Sequence, residues 1–203
     1  MHPLVVETDR TLTRFSEEFS DSPFEWLYES DVQGTLAERL RTQLADHRAT
    51  ISAGLFGDAK AYGGSLEVEI GLVKTEYPGG TRFDIAVIDP DRISRRNPGD
   101  KSDPFWNQPV RVAIELKLCW IGYDPRDYVS DMRTDVEKID AWRLEQGNGP
   151  LDGFAVLFIQ EPKRLDDALR KDLDELCQNA QGPTHCWAIA PDDFHSATSE
   201  SCT

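Results

Sequence analysis

The sequence predicts an α/β fold, a single mixed β-sheet flanked by helices, and three observations predict it. Residues 66–74, 81–89 and 110–118 alternate apolar and polar side chains at the two-residue period of a strand. Residues 23–44, 125–139 and 162–179 carry apolar side chains every third or fourth position, the period of a helix with one buried face. Residues 154–159 form a continuous apolar run, as a strand covered on both faces requires. The order is helix, three strands, helix, strand, helix, strand, and one sheet with helices packed on it is the economical arrangement. With 203 residues the chain is most simply one domain, with a core over 23–190, a long loop over 90–109 and a mobile polar tail over 196–203.

Each element has a local cause. Residues 1–20 hold a short apolar patch (Leu4, Val5, Val6) followed by mixed polarity, read as a strand or arm. Ser22-Pro23 starts a helix, serine capping and proline filling the first helical position. Phe24, Leu27, Tyr28, Val32, Leu36, Leu40 and Leu44 then form its buried stripe, with Glu29 and Gln33 one turn apart on the flank. Tyr77-Pro78-Gly79-Gly80 is a turn, so 66–74 and 81–89 make a β-hairpin. Asp124-Pro125 repeats the cap-and-proline start, and Val129, Met132, Val136 and Ile139 are the stripe of a helix that ends at Gly147-Asn148-Gly149. Leu165, Leu169, Leu173 and Leu176 mark the third helix, and 186–190 is a last short strand.

Composition narrows the class. No apolar run approaches the roughly 18 residues of a membrane helix. The N-terminus lacks a basic start followed by an apolar core, so a cytoplasmic protein with no membrane partner is expected. Cys119, Cys177, Cys186 and Cys202 show no C-x-x-C spacing, which argues against a disulfide framework or a zinc site. The net charge of −15 argues against a broad basic face for nucleic acid. Fifteen arginines against seven lysines, and more aspartate than glutamate, fit either a chain adapted to high salt or an ordinary acidic surface. The basic residues of the long loop, Arg92, Arg95, Arg96 and Lys101, are balanced by Asp91, Asp100 and Asp103 and read as solvated. Trp120 and Tyr123, just past the motif, could stack bases but are assigned to packing, and His185 and His195 receive no role.

The chemistry concentrates at the end of 110–118, V-R-V-A-I-E-L-K-L, where Glu115 and Lys117 interrupt an apolar strand. Charged side chains are rarely buried without a partner or a function. If 81–89 pairs antiparallel with this strand about the Gly99 region, Asp84 falls opposite Glu115. Two carboxylates on one patch repel unless a cation lies between them, and hard oxygen donors suit Mg²⁺ or Mn²⁺. The competing structural reading is a cross-strand salt bridge between Lys117 and Asp84.

An aspartate early in one strand, E-L-K late in the next and a preceding glutamate-bearing helix resemble the PD-(D/E)XK nuclease superfamily. Its common core, helix, three strands, helix, strand, is matched by residues 23–159, while Phe83 departs from the family's proline. The resemblance implies an αβββαβ restriction-endonuclease-like core with an extra C-terminal helix and strand. It implies Asp84, Glu115, the main-chain carbonyl of Leu116 and Glu29 as metal ligands, and Lys117 as the lysine positioning the attacking water. Gln33, Asp135 and Lys138 are auxiliary candidates, Lys138 being equally well read as a solvent lysine paired with Asp135 or Glu137. The implied activity is Mg²⁺- or Mn²⁺-dependent phosphodiester hydrolysis, a DNA endonuclease. No appended DNA-binding motif is visible, so substrate choice falls to the chain's loops, a homodimer mate or a protein partner. Two alternatives stand beside it: an inactive nuclease-fold protein that docks on a protein partner, and a metal-dependent enzyme on an unrelated α/β fold.

Overall fold

The computed structural model describes residues 1–52, 67–77, 82–93, 108–145, 149–162 and 164–199. Among them the main sheet runs in sequence order: β3 (Val73–Tyr77), β4 (Phe83–Ile88), β5 (Val110–Cys119), β6 (Asp152–Ile159), β7 (Thr184–Ala190) and β8 (Asp193–Thr198). β3, β4 and β5 are antiparallel neighbours, β6 and β7 run parallel to β5, and β8 returns antiparallel. Parallel neighbours need a crossover. Helix α3 (Val129–Glu145) supplies it between β5 and β6, and α4 (Asp167–Gln178) between β6 and β7. The α/β class and the mixed sheet follow the sequence reading.

β6 explains the layering. Phe154, Val156 and Phe158 join the larger core cluster, whereas Ala155, Leu157 and Ile159 join a second one. Alternate side chains therefore leave opposite faces of a strand buried on both sides, as its unbroken apolar run predicts. Helices α1 (Pro3–Asp21) and α2 (Glu29–Gln43) serve the larger cluster, where Phe15 and Phe19 pack on Trp26 and Phe158. Leu169 and Leu173 of α4, with Met132 and Val136 of α3, fill the second.

Four expectations need correction. Residues 1–20 are no strand or arm: α1 starts with Pro3 in its first turn and His2 capping, and buries Leu4, Val5, Leu12, Phe15 and Phe19. The core thus begins well before residue 23. Pro23–Glu25 is only a 3₁₀ turn and α2 starts at Glu29, so Phe24, Leu27 and Tyr28 precede its buried stripe and are exposed, while Val32, Leu36, Leu40 and Leu44 are buried. The run 66–74 is divided at Leu72: β2 (Glu67–Gly71) pairs with β1 (Arg48–Ser52) in a separate two-stranded sheet, and β3 joins the main one. The tail expected to be mobile contributes Ser196 to Thr198 to β8. The turn at 78–81, most of the long loop (94–107) and the end of the tail lie outside the described residues. Among those described, no helix is long and apolar enough to cross a membrane.

The pairing of β4 with β5 sets up everything that follows. Ile85 faces Ile114, Ala86 faces Ala113 and Val87 faces Val112. One further rung puts Asp84 opposite Glu115, the register inferred from the sequence.

Candidate active site

Three elements deliver side chains to the end of this strand pair. α2 begins where it does because the Asp31 carboxylate accepts from the backbone N–H of Leu27 (3.1 Å) and Tyr28 (3.0 Å), anchoring the chain entering the first turn. That start sets Glu29 at the helix mouth. Gln33, one turn on, donates to the main-chain carbonyl of Asp84 at 2.8 Å and to Glu76 at 3.0 Å. β4 and β5 supply Asp84, Glu115 and Lys117, and α3 supplies Asp135 and Lys138.

The contacts are specific. Asp84 accepts from the backbone N–H of Leu116 at 2.7 Å, fixing one carboxylate oxygen at the strand end. Lys117 Nζ reaches the Leu116 carbonyl (3.1 Å) and Asp135 (2.7 Å). Lys138 Nζ reaches Glu115 Oε1 (2.6 Å), Asp135 Oδ1 (3.6 Å) and the carbonyl of Arg82 (2.8 Å). Glu115 is 2% exposed. Its Oε1, like Oδ2 of Asp135, is buried with a lysine charge close by but with no hydrogen bond of good geometry.

Electrostatics follow from burial and crowding. Burial, then the charges of Asp84 and Asp135, pushes the Glu115 carboxyl up to about 9 against the opposing pull of Lys138. Asp84 is raised by burial although the Leu116 N–H and Lys117 work the other way. Glu29 is raised mainly by burial, with Lys117 and the N–H of Leu118 opposing. Burial pulls Lys117 down, but its bond to Asp135 and the charges of Asp135, Glu29 and Asp84 outweigh that and leave it raised. Lys117 therefore stays an ammonium at neutral pH.

Every candidate named from the sequence thus comes to one cluster: Glu29, Gln33, Asp84, Glu115, Leu116, Lys117, Asp135 and Lys138. The partners differ from the simple expectation. Lys117 bridges to Asp135, not Asp84, and Lys138 pairs with Asp135, as one alternative had it, but its shorter contact is with Glu115 and none is with Glu137 among the described residues. Two features escaped the sequence reading. Glu76 sits at φ 51, the left-handed region a glutamate seldom adopts, and is tied to the cluster through Gln33. Trp120 and Tyr123, assigned to packing, are exposed at the rim.

Among the described residues no three carboxylate, histidine or cysteine side chains stand close enough to hold a metal ion by themselves. A cation here would draw on Asp84, Glu115, the Leu116 carbonyl and water. These donors are all hard oxygens, and the buried Glu115 Oε1 lacks a directed bond, so the set fits Mg²⁺ or Mn²⁺. No family model, no curated protein and no solved structure matches this chain.

Proposed function

We propose that this protein is a PD-(D/E)XK-type nuclease that hydrolyses phosphodiester bonds in DNA with Mg²⁺ or Mn²⁺. The observation that carries the reading is the convergence of Glu29, Asp84, Glu115 and Lys117 at one strand end, from elements far apart in sequence. The element order α2, β3, β4, β5, α3, β6 supports a restriction-endonuclease-like core. The bound ion would supply Lewis-acid polarisation of a phosphate oxygen and a more acidic water. Asp84 and Glu115, with the Leu116 carbonyl, would hold the ion. Lys117, kept protonated, orients the attacking water and stabilises the negative charge that grows on phosphorus, rather than acting as the base. Asp135 aims that ammonium, and Gln33 steadies the backbone under Asp84. Lys138 holds Glu115 Oε1 at 2.6 Å, the oxygen that a divalent cation would share.

Purified protein incubated with plasmid or single-stranded DNA and Mg²⁺ or Mn²⁺ tests this. Wild type is expected to cut, chelation to stop it, and Lys117→Ala or Asp84→Ala to lose about 10²-fold or more. Plasmid and single-stranded DNA both left whole under both ions remove the reading. A second reading, a nuclease-fold protein that docks on a basic partner without cutting, is favoured by the net charge of −15. Metal binding without cleavage selects it.

A further inference from the structure

Of the large hydrophobic side chains exposed among the described residues, Phe24, Leu27, Tyr28, Trp120, Ile121 and Tyr123 belong to two short segments that meet beside the candidate site. Tyr28 immediately precedes Glu29. Trp120 lies two residues beyond Leu118, whose N–H favours the charged form of the Glu29 carboxylate. The rings touch edge to face, Tyr28 on Trp120 at 6.5 Å and Trp120 on Tyr123 at 6.1 Å. Tyr28 is nonetheless 61% exposed, Trp120 41% and Tyr123 54%.

This patch is built, not left over. Gln160, 5% exposed at the end of β6, donates to the carbonyls of Pro23 (3.3 Å) and Trp26 (2.8 Å) and accepts from the N–H of Ile121 at 3.4 Å. One buried amide therefore clamps both ring-bearing segments. Glu161 accepts from the N–H of Gly122 at 3.1 Å, and Gly122 turns the chain at φ 88, where other residues are strained. A protein that only needed these rings buried would not hold them outward with a dedicated buried side chain.

Resting on the nuclease reading, we propose that Tyr28, Trp120 and Tyr123 form a stacking platform for the bases of single-stranded nucleic acid entering the cleft. Charge decides against a duplex. A chain of net charge −15 has little to offer the many phosphate contacts that duplex binding draws on. Stacking on aromatic rings needs unpaired bases and supplies, with each base, affinity that does not come from phosphate contacts. Of the carboxylates bordering the patch, Asp124 is paired with Arg126 at 2.7 Å and Glu161 with Arg164 at 3.1 Å, while Asp31 is held on the N–H groups of Leu27 and Tyr28. At about 3.3 Å per residue, Trp120 stands roughly 16 Å along the strand from Glu115. Several nucleotides of a single strand span that distance.

The test is binding of labelled oligothymidylate, oligouridylate and a DNA duplex by anisotropy and tryptophan quenching, with cleavage of each strand type measured separately. Wild type is expected to bind single strands more tightly than duplex, with quenching. Trp120→Ala and Tyr123→Ala each lose about tenfold, and Tyr123→Phe keeps the affinity. The two single-stranded arms report whether the sugar is DNA or RNA. Unchanged single-strand affinity in both alanine variants overturns the platform, even if cleavage of duplex stands. So does a concentration-dependent dimer in wild type that Trp120→Ala abolishes, since the rings are then covered by a second copy. Ring-dependent single-strand binding without any cleavage supports the platform and removes the nuclease reading instead.

Discussion

Replacing Glu115 by glutamine is expected to make the metal-free protein more stable while destroying its activity. The carboxyl is 2% exposed and faces Asp84 and Asp135, so folding must hold it largely neutral. In the unfolded chain it ionises above its ordinary value of 4.5, and in the fold only towards about 9. A carboxyl raised in this way favours the fold fully below about pH 4.5, and that contribution is lost as pH climbs towards 9. At pH 7 the gap from 4.5 is about 2.5 pH units, or about 3 kcal/mol at ~1.4 kcal/mol per unit. At pH 5 the same arithmetic leaves less than ~1 kcal/mol. Glutamine has the same shape, still offers Lys138 an acceptor and carries no proton to manage. Urea unfolding followed by tryptophan fluorescence at pH 5 and pH 7 measures the difference. Glu115→Gln should gain up to about 3 kcal/mol at pH 7 and little at pH 5. A variant that is destabilised, or equally affected at both pH values, would show that the Lys138–Glu115 pair supports the fold as an ordinary buried ion pair and refute this account.

Other expectations follow from single contacts. Asp135→Asn removes the main influence raising Lys117, so the alkaline limb of the cleavage pH–rate profile should move to lower pH; an unmoved limb means Asp135 does not position that ammonium. Mg²⁺ at about a hundred times its dissociation constant should add about 2.7 kcal/mol of stability; the shift should vanish in Asp84→Asn, and a shift that persists places the ion elsewhere. Gly122→Ala meets empty space, so backbone strain alone should cost about 1–2 kcal/mol; an alanine variant as stable as wild type would mean the turn is relaxed. Gln160→Leu strands the carbonyls of Pro23 and Trp26 and should cost about 1–3 kcal/mol in chemical unfolding, whereas no loss would show that water replaces the amide.

The sequence determined the strand pairing on its own, because two strands folded back antiparallel about the Gly99 region meet in one register, and Ile85 facing Ile114 is that register. That is why Asp84 and Glu115 could be set opposite each other without coordinates. Glu29 and Gln33 were equally accessible, since helical spacing puts them on one flank. The helix over Pro3–Asp21 was also written in the chain, in Leu4, Thr8, Leu12, Phe15 and Phe19, but its polar interruptions hid the period. Only the tertiary structure decided which lysine neutralises which carboxylate, and which aromatic rings face solvent. Lys138 reaches Glu115 from a different element, and Gln160 fastens Pro23, Trp26 and Ile121 from more than thirty residues away. Local pattern reports the face a side chain takes on its own element. Its partner depends on how distant elements dock, and on the desolvation of charges that only docking brings about.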